Sequence, residues 1–412
     1  MRRPAWLGGA GKDADGAVLL TGPEAGELLT AAVEHAGGVL LEWRLDHVDA
    51  NPGQSTTATY QARVQWQTGK RQELFGMSAR ANGPAMTDSR ADIYVDGSRE
   101  VAVWRYPDDP DLPGLSRAAY PEQMATIMSD LGLVDGGVSA DQINLRMIGY
   151  RPRRRAVLCV EVPNRRFYVK VLRDGIFQAT LARHDLLTRA SVPSPRVAGV
   201  TDDNLLFLTE LPGRPLSKAL FEPGNPCTAE SLVGLLDQLP PQVCELPRRS
   251  SWSESVDHYC RMVAAAMPDQ QDRLDRMARI ISQGLSGLPQ GNEPTHGDFH
   301  EGQIHVWNGQ VCGILDVDTI GPGRRADDLA CLVAHLSTVQ HMNSSQADRM
   351  RQILAGWVPV FDTRVDPVEL RLRSAAVAIS LATGPYRSQE ANWGAETLSI
   401  IDAAEALINQ VA

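Results

Sequence analysis

THGDFHEGQIHVWNGQVCGILDVDTIGPGRRADDLA, Thr295 to Ala330, gathers five aspartates and three histidines into one short span of a chain otherwise rich in Ala, Leu and Val. Its runs IHVW and VCGILDV flank Asn308-Gly309, a dipeptide that favours the positive-φ turn of a tight hairpin. A short hairpin is therefore expected, with the polar loop HGDFHEGQ before it and Asp316 closing its second strand. Asp298, the side-chain amide of Gln303 five residues on and Asp316 eighteen residues after Asp298 offer oxygen donors in that order. Asp318 lies two positions beyond Asp316 and stands either behind the site or on the surface. Asp327 and Asp328 precede LACLVAHL and are expected to start and cap that helix. His296, His300 and His305 are interrupted by glycines and a strand, which breaks any helical face of the HExxH kind and argues against a zinc hydrolase.

Composition bounds the rest. The 412 residues, 43% hydrophobic and 22% charged, suffice for two or three globular domains with a large core. A net charge of -10 argues against a general nucleic-acid binder, which needs a basic face. A neutral or cationic small partner fits better. The start, MRRPAWLGGAGKDADG, is broken by Lys12, Asp13 and Asp15 and forms no signal-peptide core. No apolar run of about 18 residues occurs, so neither a membrane span nor a membrane partner is expected, and the location expected is cytoplasmic. Six cysteines without a close pair read as buried thiols.

Along the chain, 24–35 reads as an amphipathic helix and 39–50 and 55–66 as strands around NPGQ; ELFGMSARA and ADIYVDG add a further pair. Trp104 to Ser116, with its prolines and aspartates, reads as a linker, and 121–133 as a helix. From 143 the pattern restarts as strands INLRMIGY, AVLCVEV and FYVKVLR, then a helix over 176–190, then the apolar strand LLFLTEL ended by PGRPL. Beyond about 228 the pattern is helical apart from the opening segment. Pro52-Gly53 followed by STTATYQARV resembles Pro152-Arg153 followed by RRAVLCVEV one hundred residues on, which is either chance or a degenerate duplicated β-lobe.

Phosphoryl transfer requires a carboxylate to orient the attacking hydroxyl, a side-chain oxygen on the metal, and a second carboxylate bridging metal and phosphates. Asp298, Gln303 and Asp316 match the spacing of the kinase pattern HRDLxxxN and its downstream metal aspartate. HGDFHEGQ followed by ILDVDTIGPGRRADDLA resembles the aminoglycoside phosphotransferase and choline kinase-like superfamily, with its HGDxHxxN loop, metal strand and DLA helix start. Gln303 stands where asparagine is commoner, as in the maltokinase and glucosamine-kinase-like branch; its carbonyl remains a hard oxygen suited to Mg2+.

That resemblance implies an α+β, protein-kinase-like bilobal fold, with a β-rich small lobe and a helical large lobe, behind an α+β amino-terminal cap domain. The divisions it implies are 1–135 for the cap, 140–213 for the small lobe with its hinge and 214–412 for the large lobe. It implies ATP and Mg2+ as cofactors, Asp298 as catalytic base, and Gln303 and Asp316 as metal ligands. Lys170 on FYVKVLR would hold phosphates, the backbone of Thr209 and Leu211 would hold the adenine, and Gly213 would let the chain turn. The turn RPRRR has no glycine-rich pattern; Arg153 either neutralises phosphate there or belongs to a solvated turn. The helix 176–190 brings no glutamate to pair with Lys170. The acceptor implied is a small-molecule hydroxyl on a sugar, amino sugar or aminoglycoside, and the other class of reading is an inactive nucleotide-binding or regulatory protein.

Overall fold

A computed structural model describes residues 13–81, 90–96, 99–338 and 344–411. The stretch up to Lys12, where no signal-peptide core is expected, lies outside them. The chain forms two compact units: the first runs to Phe177 and takes in Val197–Thr209 and Tyr386–Ala391, and the second comprises Gln178–Arg196, Glu210–Pro385 and the residues from Asn392 on. Among the described residues no helix is long and apolar enough to cross a membrane.

In the first unit, β1 (Val39–Asn51), β2 (Ser55–Trp66), β3 (Gly69–Arg80), β4 (Asp92–Asp96) and β5 (Arg99–Arg105) form an antiparallel sheet in the order β1-β2-β3-β5-β4. The helix Ala25–His35 places Leu28, Leu29, Ala32 and Val33 on one stripe. That stripe packs on Ala58, Tyr60, Ala62 and Val64, the alternate residues of β2 that share a face.

A second sheet, β6 (Asn144–Arg151), β7 (Arg155–Val162), β8 (Arg165–Leu172), β9 (Val197–Val200) and β10 (Leu205–Thr209), has the order β6-β7-β8-β10-β9. This is the order of the first sheet. The echoed segments fall on corresponding turns, with Gly53 (φ 73°) and Arg153 (φ 62°) both left-handed, so the repetition in sequence has a counterpart in topology.

The segment Trp104–Ser116 is not a loose linker. Leu112 and Leu115 are fully buried in the core of the second sheet, together with Met124, Ile127 and Met128 of the helix Pro121–Asp130. Burial of these apolar side chains outweighs what the prolines suggest.

In the second unit five short strands follow: β11 (Arg214–Pro215), β12 (Glu293–Thr295), β13 (Ile304–Trp307), β14 (Gln310–Ile314) and β15 (Gly321–Gly323). The hairpin expected about Asn308-Gly309 is β13–β14, with β11 on its outer edge, while β12 pairs with β15. Helices supply the core. Pro367–Leu381 is buried nearly all round and packs against Arg325–Ser337 and Trp393–Ile408, with Phe299, Trp357 and Phe361 filling the space between elements. Antiparallel sheets followed by a helical part that carries one functional hairpin is the α+β, protein-kinase-like order of elements.

Candidate active site

The loop His296–Gln303 joins β12 to β13, and its shape is set by Asp328. This residue lies on the helix Arg325–Ser337 with no exposed surface. Its two carboxylate oxygens accept the backbone N–H groups of His296 and Gly297, each at 2.8 Å. Burial pushes its carboxyl up to about 6, against the pull of those donors. Asp328 therefore does not cap its helix, contrary to expectation. Asp327 does, accepting the Arg324 N–H at 3.2 Å.

Gly297 has φ 80°, and a Cβ there would sit 2.8 Å from the Thr319 carbonyl oxygen, so this position requires glycine. Three bonds join the loop and the residue before it to the chain beyond the hairpin. His296 Nε2 donates to the Leu315 carbonyl at 2.9 Å, Thr319 Oγ1 to the His296 carbonyl at 2.7 Å, and Thr295 Oγ1 to the Gly321 carbonyl at 2.8 Å.

The metal candidates meet through backbone. Leu315 N–H donates to the Gln303 carbonyl at 2.7 Å, which sets Gln303 beside the residue before Asp316. Strand β14 ends at Ile314, and at Asp316 the backbone turns left-handed (φ 51°, ψ 52°). The expected strand over VCGILDV is thus two residues shorter than its last acid, and Asp316 and Asp318 lie on a turn, outside the two-faced geometry of a strand. Asp318 acts electrostatically on Arg183, a buried residue of the helix Phe177–Arg189 whose Nε donates to the Ile320 carbonyl at 3.3 Å.

Asp298 is partly open, with 29% of its side chain exposed. Cys331 Sγ lies 3.9 Å from its Oδ1. Burial and the neighbouring acids hold that thiol well above its usual range, so it stays protonated and can donate. His300 Nε2 stands 4.0 Å from Asp298 Oδ2, and the His300 ring stacks on His335 with centroids 4.2 Å apart. Glu301 lies against both rings. Burial works to raise its carboxyl, but the two imidazoles outweigh that and hold it well below the carboxylate range. Burial likewise works to lower His300, and Glu301, Asp298 and Asp316 more than offset it.

Of the other histidines considered for zinc, His296 is bound to a carbonyl as described and His305 Nδ1 donates to the Pro212 carbonyl at 3.0 Å. Leu211, in this same unit, is buried, and Gly213 (φ 77°) makes the turn after it, with the Val306 carbonyl 2.5 Å from where a Cβ would be.

The first unit holds the remaining candidates. Lys170 is buried on β8, paired with Val157 and Leu206, and is not a solvated strand lysine. Thr209 ends β10 opposite Phe167. Arg153 differs from expectation. Its guanidinium is buried, with Nε 3.0 Å from Asp111 Oδ2 and NH1 2.9 Å from Ser78 Oγ, and its N–H donates to Asp109 at 2.8 Å. Asp109 also accepts the Tyr150 hydroxyl at 2.7 Å. Arg153 thus ties the β6–β7 turn to β3 and is no part of a solvated turn.

Sequence reading passed over Glu301, Cys331 and His335. A signal was present: 328, 331 and 335 are spaced three and four apart, one stripe of a helix, and the polar residues Asp328, Cys331 and His335 occupy it.

A sequence model of the phosphotransferase enzyme family matches residues 139–357, more than half of the chain. No curated protein matches. Similar solved structures include a choline/ethanolamine kinase family protein from Mesorhizobium loti, 16% identical over 69% of this chain and 94% of that one, TM-score 0.48. Choline kinase LicA from Streptococcus pneumoniae is 11% identical over 69% and 98% of the two chains, TM-score 0.47. A thermostable mutant of aminoglycoside phosphotransferase APH(4)-Ia, in ternary complex with AMP-PNP and hygromycin B, is 13% identical over 70% and 99%, TM-score 0.47.

Proposed function

Because the chain belongs to the phosphotransferase enzyme family, a family of small-molecule kinases, we propose that it transfers the terminal phosphoryl group of ATP to a hydroxyl of a sugar, amino sugar or aminoglycoside. The observation that carries this reading is the loop His296–Gln303, in which the Gln303 carbonyl accepts the Leu315 N–H beside Asp316 and His296 is bonded to Leu315 and Thr319, so that the segments carrying the base candidate and both metal candidates are held together.

Asp298 accepts the proton of the acceptor hydroxyl and aims its oxygen. Cys331 and His300 fix the carboxylate from either side. Gln303 and Asp316 supply hard oxygens, a donor set that fits Mg2+. That ion, when bound, neutralises charge on the phosphates. Lys170 steadies the triphosphate, and the backbone of Thr209 and Leu211 holds the adenine. Residues 1–135 act as a cap, 140–213 as the small lobe and 214–412 as the large lobe. Most of the rate enhancement comes from positioning and preorganised charge.

The test is ATP consumption against a panel of sugars, amino sugars and aminoglycosides, followed by Asp298→Asn on the acceptor found. The variant is expected to lose about a hundredfold to ten-thousandfold in kcat while ATP still raises its melting temperature. Full turnover by the variant, or no transfer to any acceptor together with no ATP-dependent thermal shift, overturns the reading.

A further inference from the structure

Glu301 Oε2 is a buried carboxylate oxygen with no hydrogen-bond partner. The nitrogens facing it are His335 Nδ1 at 3.5 Å and His300 Nδ1 at 3.8 Å, both beyond hydrogen-bond length. Such spacings have another meaning. Donor atoms around a tetrahedral ion with bonds of about 2.0–2.1 Å sit roughly 3.3–3.4 Å apart. The three ligand atoms of His300, Glu301 and His335 lie within 4.8 Å of one another. Two imidazoles and one carboxylate are a donor set for borderline ions, whereas Mg2+ prefers oxygen alone.

We propose that His300, Glu301 and His335 form a second cation site, distinct from the Gln303 and Asp316 pair, that takes Zn2+ or a similar transition ion and is coupled to Asp298 through the His300 ring. The coupling follows from which nitrogen faces what. His300 Nδ1 faces Glu301 and now accepts the Gly302 N–H at 3.2 Å, while Nε2 faces Asp298. An ion on Nδ1 replaces the Gly302 donor and leaves the ring proton on Nε2, aimed at the Asp298 carboxylate. This is the arrangement in which a ligating histidine hands its other N–H to a carboxylate. Near-parallel rings, 11° apart in plane, cannot both direct lone pairs at one ion. Occupancy therefore turns His335 out of the stack, a motion open to the ring that ends a polar helical stripe and keeps 20% of its side chain exposed.

That an occupied site inhibits transfer, by holding Asp298 away from the acceptor hydroxyl, rests on the function proposed above; binding itself does not. The experiment uses the full chain with Cys244→Ser and Cys312→Ser, which removes the two partly exposed thiols as competing ligands. The chelator-stripped protein is titrated with Zn2+, and with Co2+ as a spectroscopic probe, in excess Mg2+ and without nucleotide or acceptor. The expected result is a single equivalent bound, a Co2+ spectrum with imidazole ligation, and affinity weakened about tenfold or more by His300→Ala or His335→Ala. Folding of each variant is checked by circular dichroism. If His300→Ala unfolds, His335→Gln carries the test. No binding above the Mg2+ background, or binding unchanged in the folded histidine variants, overturns the site. Because the titration is read without turnover, failure of the transferase assay leaves it standing, and failure of the titration leaves the transferase reading untouched.

Discussion

A carboxylate with no exposed surface costs free energy unless fully hydrogen-bonded, and Asp328 is kept because it satisfies two backbone N–H groups that the loop would otherwise bury unpaired. Asp328→Asn puts a donor against one of those donors. It is expected to destabilise the second unit by about 1–3 kcal/mol in denaturant titration and to lower kcat more than it changes the KM for ATP. Asp109 is the comparable residue of the first unit, and its pH dependence can be signed. Burial raises its carboxyl above the ordinary value, against the pull of Arg153 N–H, the Tyr150 hydroxyl and Asp111 N–H. The folded chain therefore holds a proton over a window where the unfolded chain has lost it, and this contribution to stability falls as pH rises through that window. Asp109→Asn does not titrate. Its stability deficit against the natural chain should be largest at low pH and should shrink as the pH rises above the ordinary carboxylate range, as measured by urea titrations across a pH series. Single residues were unevenly legible in the sequence. Asp298, Gln303 and Asp316 could be proposed from spacing because their order follows the chain. The partners of Arg153 were not legible, because Asp111 and Ser78 are 42 and 75 residues away and no local pattern announces them.

At the scale of elements, alternation and turn chemistry made the strands readable. The β13–β14 hairpin, the first two long strands of the first sheet and the helix Ala25–His35 lie where periodicity puts them, while β3 starts four residues before the stretch read as a strand. What periodicity could not give was the end of β14, because the left-handed turn at Asp316 depends on tertiary bonds to Gln303 and His296. Proline content likewise misled over Trp104–Ser116, where buried leucines decide the structure. Turn glycines separate two kinds of strain. Gly297→Ala meets both a positive φ and the Thr319 carbonyl, and is expected to cost about 1–3 kcal/mol and to lower kcat about tenfold to a hundredfold. Gly309→Ala also has a positive φ, 75°, but its nearest neighbour, the Asn225 carbonyl, is 3.9 Å away. It should cost about 1 kcal/mol and leave kcat unchanged; steady-state kinetics and melting curves on the pair check this.

On the scale of the whole molecule, the apolar residues divide as the units do. Among the described residues one cluster gathers Phe299, Phe361, Leu329 and Ile401 within the second unit, and the others belong to the first. Calorimetry should resolve two transitions. Phe361→Ala, which empties a fully buried ring site at a cost of about 3–5 kcal/mol, should lower one and leave the other in place; a single transition shifted as a whole would contradict separate cores. The α+β order of elements was legible from the sequence because it needs only local patterns. The shared strand order of the two sheets needed the structure, since the sequence echo is confined to one turn and its following strand.

The three bonds that run from the segment Thr295–His296 to Leu315, Thr319 and Gly321 make the segments that carry the proposed base and the proposed metal ligands parts of a single fitting. In a mechanism, the accuracy of a gap depends on how many joints separate its two edges, and here few do. Those bonds form once, in folding, so the alignment that the proposed transfer demands does not have to be found again at each turnover.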